Sequence, residues 1–584
     1  MEQNQNPSKK RNLNQFQNQQ NDSQETNVNY QQQNQILREL ALERMQRQQQ
    51  QTQKSQNNCD LKQNYEQQNK EQDQIQTQKT QVIIKNKNDI QQEEEQKISI
   101  QKDKKSIDKQ NEFQNIHTQK LTQFYVNKLV QYPVEQHADY MVSFDELFLE
   151  DPFYKLRNKE KIDTVQSVFI TTYGFQSSQL EKIVKGKQTH FVLANDRSAQ
   201  DKKEGLPDVI ENFKNYKNWT LIHPPKDYSS PFPGPFHPKL WLLKFPKFLR
   251  VVICSANQME ADWDIWGQGV WFQDFRVKNQ GEKECYKTLT DETKFDFDKD
   301  FKITLEHFVS KIMPPFKDYK ELLKIDLNDY FYENINVILI PGLPGRFQDD
   351  QFKKYNKGKV KHVLTKYFKN SSTKLKDPIL TYQSTSCGSI DEQFIEEMLN
   401  TFNPHSQSFQ VMNDDRKNRK KNKLEPIQFS KDFKFVYPTL QYILNEAQAG
   451  VEFAGCLCMQ KDSFVKESFP KLIMHRYEGN QEYFFYQGVI PHIKGGILTE
   501  RDGSINDNTV IYLGSHNFSQ AAWGRLQLQM KQININNTEL GILFPPQENS
   551  KQMKQQIVNV LPWKFPPEKY QGNDRPFMWA DCQN

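Results

Sequence analysis

One pattern occurs twice in this chain and constrains its fold more than any other feature. A His-x-Lys pair is followed by an apolar, strand-like run and then by Ser-x-Asn-x-x-x-Ala-x-Trp. The first copy reads His237, Lys239, Ser255, Asn257, Ala261, Trp263, and the second His492, Lys494, Ser515, Asn517, Ala521, Trp523. Beyond each Asn, a polar residue opens another apolar run: Gln268 before GVWF and Glu539 before LGILF. Among 11 histidines, with lysine at roughly one residue in ten, about one His-x-Lys arises by chance. The shared order of the flanking residues does not, so the two stretches read as a duplicated unit.

Short apolar strands alternating with helical patterns surround both copies. Strands are predicted over 166–175, 190–195, 239–245 and 249–257, with further strands in WTLIHPP, NVILIPG, FKFVYPT, VIYLGSHN and ELGILFPP. Helices are predicted in SQLEKIVKG, VIENFKNYKN and over 390–402, and a Lys/Asp/Phe-rich helical stretch near 282–329 is taken as boundary-forming. This alternation implies an α/β class, with two similar α/β sandwich domains related by pseudo-twofold duplication. The expected organisation is a tail over 1–120, a first domain over 121–330 and a second over 331–584. A length of 584 residues suffices for two or three domains.

The first 120 or so residues are dominated by Gln and Asn and have almost no apolar periodicity. Such a segment buries too little surface to offset its conformational entropy and is expected to be disordered. Within it, 36–47 shows a short helical pattern, a transient helix or a partner contact. No signal peptide is expected at the N-terminus, and no apolar run approaches the ~18–20 residues of a membrane span. The seven cysteines are scattered, without zinc-ligand spacing, which points to a reduced, intracellular compartment. The stretch 414–423 reads as a basic surface loop: a solvated charge run, a nuclear import signal or a phosphate-contacting arm.

Lysine supplies a positive charge and asparagine a neutral donor, both suited to non-bridging phosphoryl oxygens. Two facing sets would surround one phosphate. A neutral histidine is a phosphoryl nucleophile and a protonated one a general acid, so the pair suits a two-step displacement through phosphohistidine. Neither copy carries a carboxylate cluster for Mg²⁺. The expectation is therefore an enzyme with no metal and no cofactor, whose lysines neutralise charge.

These residues resemble the phospholipase D superfamily, and within it the tyrosyl-DNA phosphodiesterases. The superfamily's common motif has an Asp five positions after Lys, where this chain has Lys244 and Thr499. The tyrosyl-DNA branch lacks that Asp too. It carries His-x-Lys, Asn and Gln in one half, matched by His237, Lys239, Asn257 and Gln268. In the other it carries His-x-Lys, Asn and Glu, matched by His492, Lys494, Asn517 and Glu539. LRVVICSAN, ILIPGLPGRFQ, SCGS, PHIK and SQAAWG are also similar, and the likeness covers roughly 142–579.

The resemblance implies hydrolysis of the bond between a DNA 3′-phosphate and a topoisomerase-derived tyrosine. His237 would be the nucleophile and His492 the general acid and base, with Gln268 and Glu539 orienting the rings. Ser386, Ser389, Ser519 and Ala521 match positions that hold DNA phosphates. Phe236 and Phe232 either stack a base or pack their loop. Trp263, Trp523, Trp241 and Trp271 are read as core. The implied partners are single- or double-stranded DNA 3′ ends carrying peptide from a type IB topoisomerase, handled by a nuclear monomer with no membrane contact. The rivals are another phospholipase D-type enzyme, a nuclease or a lipid hydrolase, and a catalytically inactive single-stranded DNA-binding relative.

Overall fold

The computed structural model describes residues 124–132, 140–149, 165–184, 189–195, 213–214, 216–225, 234–282, 294–369, 374–388, 390–425, 427–480 and 486–583. The expected disordered tail, the helix at 36–47, Phe232, Ser389 and half of the helix expected in VIENFKNYKN lie outside these residues.

Seven strands build the first sheet: β1 (Phe124–Asn127), β2 (Ser167–Thr171), β3 (His190–Ala194), β4 (Trp219–Ile222), β5 (Leu240–Lys244), β6 (Phe248–Cys254) and β7 (Gly269–Arg276), with Met141–Val142 as a short edge strand. Seven more build the second: β8 (Ile338–Gly342), β9 (Pro378–Gln383), β10 (Phe433–Tyr437), β11 (Met474–Arg476), β12 (Gly495–Glu500), β13 (Val510–Gly514) and β14 (Glu539–Phe544). The spatial orders are β1-β7-β6-β5-β2-β3-β4 and β8-β14-β13-β12-β9-β10-β11. In each sheet the first four pairings are antiparallel and the last two parallel. The repetition seen in the sequence is thus a repetition of topology.

Continuous apolar runs form the central strands because both faces of each sheet are covered. In β6, Leu249, Val251, Val252 and Ile253 are fully buried, each worth roughly 1.5–3 kcal/mol relative to exposure. Trp241, Trp263, Trp271 and Trp523 are buried as expected. Among the covering helices are α1 (Ser177–Val184), α2 (Glu260–Asp264), α3 (Phe297–Ile312), α4 (Asn356–Tyr367), α5 (Glu392–Phe402), α6 (Phe409–Lys421), α7 (Gln520–Trp523) and α8 (Lys551–Asn559). Side-chain caps start several of them: Asp296 for α3, Asp391 for α5, Ser408 for α6 and Ser519 for α7.

The basic stretch 414–423, expected as a loop, is instead mostly the C-terminal half of α6. Its Ser408 cap, the buried Phe409 and Met412 one turn apart, and an ion pair from Arg416 to Glu396 hold it helical. Both sheets belong to one compact unit that includes Thr122–Asn584. They meet where β6 packs on β13 and β14. Gly269 permits close approach at this seam: a Cβ there would stand 2.6 Å from Leu513 and 2.7 Å from Ile493.

Candidate active site

Equivalent ends of equivalent strands carry the motif residues. His237 and Lys239 lead into β5 and His492 and Lys494 into β12; Ser255 and Ser515 follow β6 and β13; Gln268 and Glu539 open β7 and β14. Because β5, β6 and β7 run antiparallel in turn, these ends share one sheet edge, and the same holds for β12, β13 and β14.

Each histidine is oriented by the other half of the chain. His237 Nδ1 lies 2.9 Å from Glu539 Oε2, and the His237 backbone N–H donates to Thr538 O at 2.9 Å. His492 Nδ1 lies 3.0 Å from Gln268 Nε2 and 3.1 Å from Oε1, and its backbone N–H donates to Gly267 O at 2.9 Å. The supports repeat as well. Ser515 Oγ donates to Glu539 Oε2 and accepts from the Leu540 N–H; Ser255 Oγ donates to Gln268 Oε1 and accepts from the Gly269 N–H. Asn537 Nδ2 donates to Glu539 Oε1 at 3.0 Å. With both Nδ1 atoms held, each ring is left with Nε2 for chemistry.

Both ammonium groups are fully buried, and each donates to the carbonyl of the histidine two residues before it: Lys239 to His237 O at 2.7 Å and Lys494 to His492 O at 2.5 Å. Burial lowers Lys239 to about 8, partly offset by Glu539 and Asp262; burial and repulsion from Lys239 lower Lys494 to about 7. Burial and then Lys239 pull His237 below its usual 6.5, against Glu539. His492 is pulled well below 6.5 by burial, Lys494, Lys239 and His237. Burial would raise the Glu539 carboxyl, but the charge and hydrogen bond of His237 hold it at about 2. The two halves therefore share one buried cluster, in which the carboxylates of Glu539 and Asp262 balance the two lysines while burial and the lysines disfavour charge on the rings. A phosphate anion placed there would draw protons back onto the imidazoles and ammoniums.

Asn257 Oδ1 accepts from the Gly174 N–H at 3.4 Å and Asn517 Oδ1 from Thr385 Oγ1 at 3.3 Å, which fixes the carbonyl side of each amide. Ser386, whose carbonyl accepts from Ser384 Oγ at 2.8 Å, leads into Cys387 and Gly388, which lie against the Ser519 turn, where the Gly388 N–H donates to Phe518 O at 3.3 Å. Ser519 caps α7, and the adjacent Ala521 is exposed. Phe236, expected as one candidate for base stacking, is only 3% exposed and bridges to Thr538. It packs its loop, the other reading of that residue. Tyr173, 46% exposed with its ring 5.7 Å from that of His237, is the aromatic group that flanks the first imidazole.

Sequence reasoning gave no role to Ser255 and Ser515, although both stand in the repeat. It missed Asp262 altogether. This fully buried carboxylate places Oδ1 3.2 Å from His492 Nδ1 and accepts the Asn257 N–H at 2.7 Å. The signal was available as a break in the repeat, because the equivalent position of the second copy is Ala522.

Two like sheets that exchange orienting groups between paired His-x-Lys motifs define a phospholipase D-type α/β protein. The sequence profile of the tyrosyl-DNA phosphodiesterase family matches residues 123–571. The chain belongs to that family. It is 24% identical to tyrosyl-DNA phosphodiesterase 1 of Arabidopsis thaliana over 421 residues, 64% of this chain and 63% of the relative. It is 24% identical to the Drosophila melanogaster protein of the same name over 373 residues, 59% of this chain and 58% of that one. The chain thus spans about three fifths of these relatives' length. Among solved structures, a variant of yeast tyrosyl-DNA phosphodiesterase 1 shares the fold at a TM-score of 0.53 and 15% identity, covering 78% of this chain and 99% of that chain.

Proposed function

We propose that the protein hydrolyses the bond between a DNA 3′-phosphate and a tyrosine left by a type IB topoisomerase, acting as a nuclear monomer in DNA repair. The crosswise hold on the two imidazoles carries this reading, since it leaves both ring Nε2 atoms for chemistry beside the two buried lysines. His237 Nε2 attacks phosphorus, and the phosphorus–oxygen bond to tyrosine breaks as His492 Nε2 gives its proton to the departing oxygen. Water then attacks phosphorus, His492 Nε2 takes the water proton, and the phosphorus–nitrogen bond breaks. The products are a DNA 3′-phosphate and free tyrosine, and both histidines are restored. Tyrosine, with a phenol pKa of ~10, leaves more readily than a deoxyribose hydroxyl, which favours this bond over plain DNA. Lys239, Lys494, Asn257 and Asn517 hold the phosphoryl oxygens. Ser386, Ser389, Ser519 and Ala521 take the DNA strand, and the basic helix α6 contributes to nuclear import.

The test compares a 3′-phosphotyrosyl oligonucleotide, plain DNA and phosphatidylcholine in EDTA. Rapid release of tyrosine with little turnover of the other two supports the proposal. Preference for plain DNA or lipid assigns the site to another phospholipase D-type activity, and DNA binding without turnover of any substrate assigns it to an inactive relative.

A further inference from the structure

The two imidazoles are not supported alike. His237 faces a carboxylate, Glu539, whereas the matching partner of His492 is the neutral amide of Gln268. A group that must carry a proton in one step and take one in the next needs its cationic form stabilised, and an amide does this poorly. The amide also leaves the tautomer open. Nε2 and Oε1 of Gln268 stand at 3.0 and 3.1 Å from His492 Nδ1, so one can serve a bare nitrogen and the other a protonated one.

Asp262 removes both deficits. Resting on the function proposed above, we propose that Asp262 is a positioning residue for His492, the remote carboxylate that fixes its Nδ1–H tautomer and stabilises its imidazolium. Its Oδ1 lies 3.2 Å from His492 Nδ1 and also accepts from Gln268 Nε2 at 3.2 Å, Asn257 Nδ2 at 3.2 Å and the Asn257 N–H at 2.7 Å. An ionised carboxylate accepts only, so it admits only the tautomer with a proton on Nδ1 and directs ring Nε2 to the reacting centre. Its Oδ2 is buried without a hydrogen-bond partner among the described residues, so the group's polar contacts all run through the oxygen that faces the histidine. A bracing role alone is an incomplete account. The second copy folds the same Ser-x-Asn-x-x-x-Ala-x-Trp turn with Ala522 in this place, its N–H capped by Ser519. The charged and titratable groups facing Asp262 are His492, Lys494 and Lys239, with Cys254 and Cys456. Burial raises its carboxyl to about 6, against the Asn257 N–H and the two lysines, so the carboxylate form persists above that pH.

The test is single-turnover kinetics on a 3′-phosphotyrosyl oligonucleotide, following formation and hydrolysis of the protein–DNA adduct across pH. Asp262→Asn keeps the shape and the Oδ1 acceptor but removes the charge. It is expected to slow adduct hydrolysis by roughly ten- to a hundredfold, the range for one charge-assisted hydrogen bond, and to abolish the acidic limb of that step. With p-nitrophenol in place of tyrosine, a leaving group that needs little proton donation, adduct formation should be near normal while hydrolysis stays slow. Adding Gln268→Glu to Asp262→Asn restores a carboxylate against His492 and should recover most of the lost rate. Hydrolysis within twofold of wild type in Asp262→Asn overturns the proposal, as does a slow step that Gln268→Glu fails to rescue, which assigns Asp262 to bracing the Asn257 turn. A wild-type chain that forms no adduct overturns the function itself, and with it any role for Asp262 in it.

Discussion

Replacing Glu539 with Gln isolates the electrostatic part of the first imidazole's support. The substitution keeps the volume of a fully buried side chain and removes one negative charge 2.9 Å from His237 Nδ1. As His237 attacks phosphorus, its ring gains positive charge on the way to a cationic phosphohistidine. At charge centres ~4 Å apart and an effective dielectric of ~20, a full unit pair interacts by about 4 kcal/mol. With about half that charge developed in a loose transition state, the loss is about 2 kcal/mol, roughly thirtyfold in the attack rate. The new amide also meets three donors, His237 Nδ1–H, Ser515 Oγ–H and Asn537 Nδ2–H, with a single oxygen. Asn537 can turn its carbonyl, whose oxygen has no partner among the described residues, toward the amide. The thermal midpoint should therefore change little. Rapid-quench assays of adduct formation measure the effect directly. An attack rate within twofold of wild type, with the fold intact, would refute the claim that Glu539 stabilises charge on His237.

His492→Asn should slow release more than attack, so that a DNA-linked protein band accumulates on denaturing gels; normal product formation with no such band at any time removes His492 from the second step. Turnover should persist in EDTA, and strict dependence on added Mg²⁺ would end the assignment of charge neutralisation to Lys239 and Lys494. Stability should fall on acidification through a third histidine. His516, fully buried, is held neutral, with Nε2–H donating to Asn356 Oδ1 and Nδ1 accepting from Tyr512 Oη. Burial lowers it to about 4 from 6.5, so the unfolded chain binds this proton first as pH falls and up to about 3 kcal/mol is lost between pH 6.5 and 4. In His516→Ala, which copies Ala256 of the first half, denaturant midpoints should vary less over that window; an unchanged slope excludes His516 as the source.

The strands were legible because 240–244, 248–254, 510–514 and 539–544 are runs of β-branched and large apolar residues that stay buried on both faces. The eight motif residues were legible as an ordered repeat. Their pairing was not: the contacts of Glu539 with His237 and of Gln268 with His492 span 302 and 224 positions, beyond any local periodicity. The basic segment in 409–421 was misread because its charge masks two anchoring residues, Phe409 and Met412, on the buried side. Phe236 stood open between stacking a base and packing its loop, and only its burial and its bridge to Thr538 decide for packing. Asp262 showed only as a mismatch between copies, whose meaning needed the ring of His492 beside it.

The central claim is that both imidazoles act on one phosphorus atom. Trapping the adduct of His492→Asn with a 3′-phosphotyrosyl oligonucleotide and sequencing its peptides by mass spectrometry tests this most directly. The nucleotide should be attached to His237, and His237→Ala should yield no adduct at all. Attachment to any other residue, or an adduct formed by His237→Ala, contradicts the account.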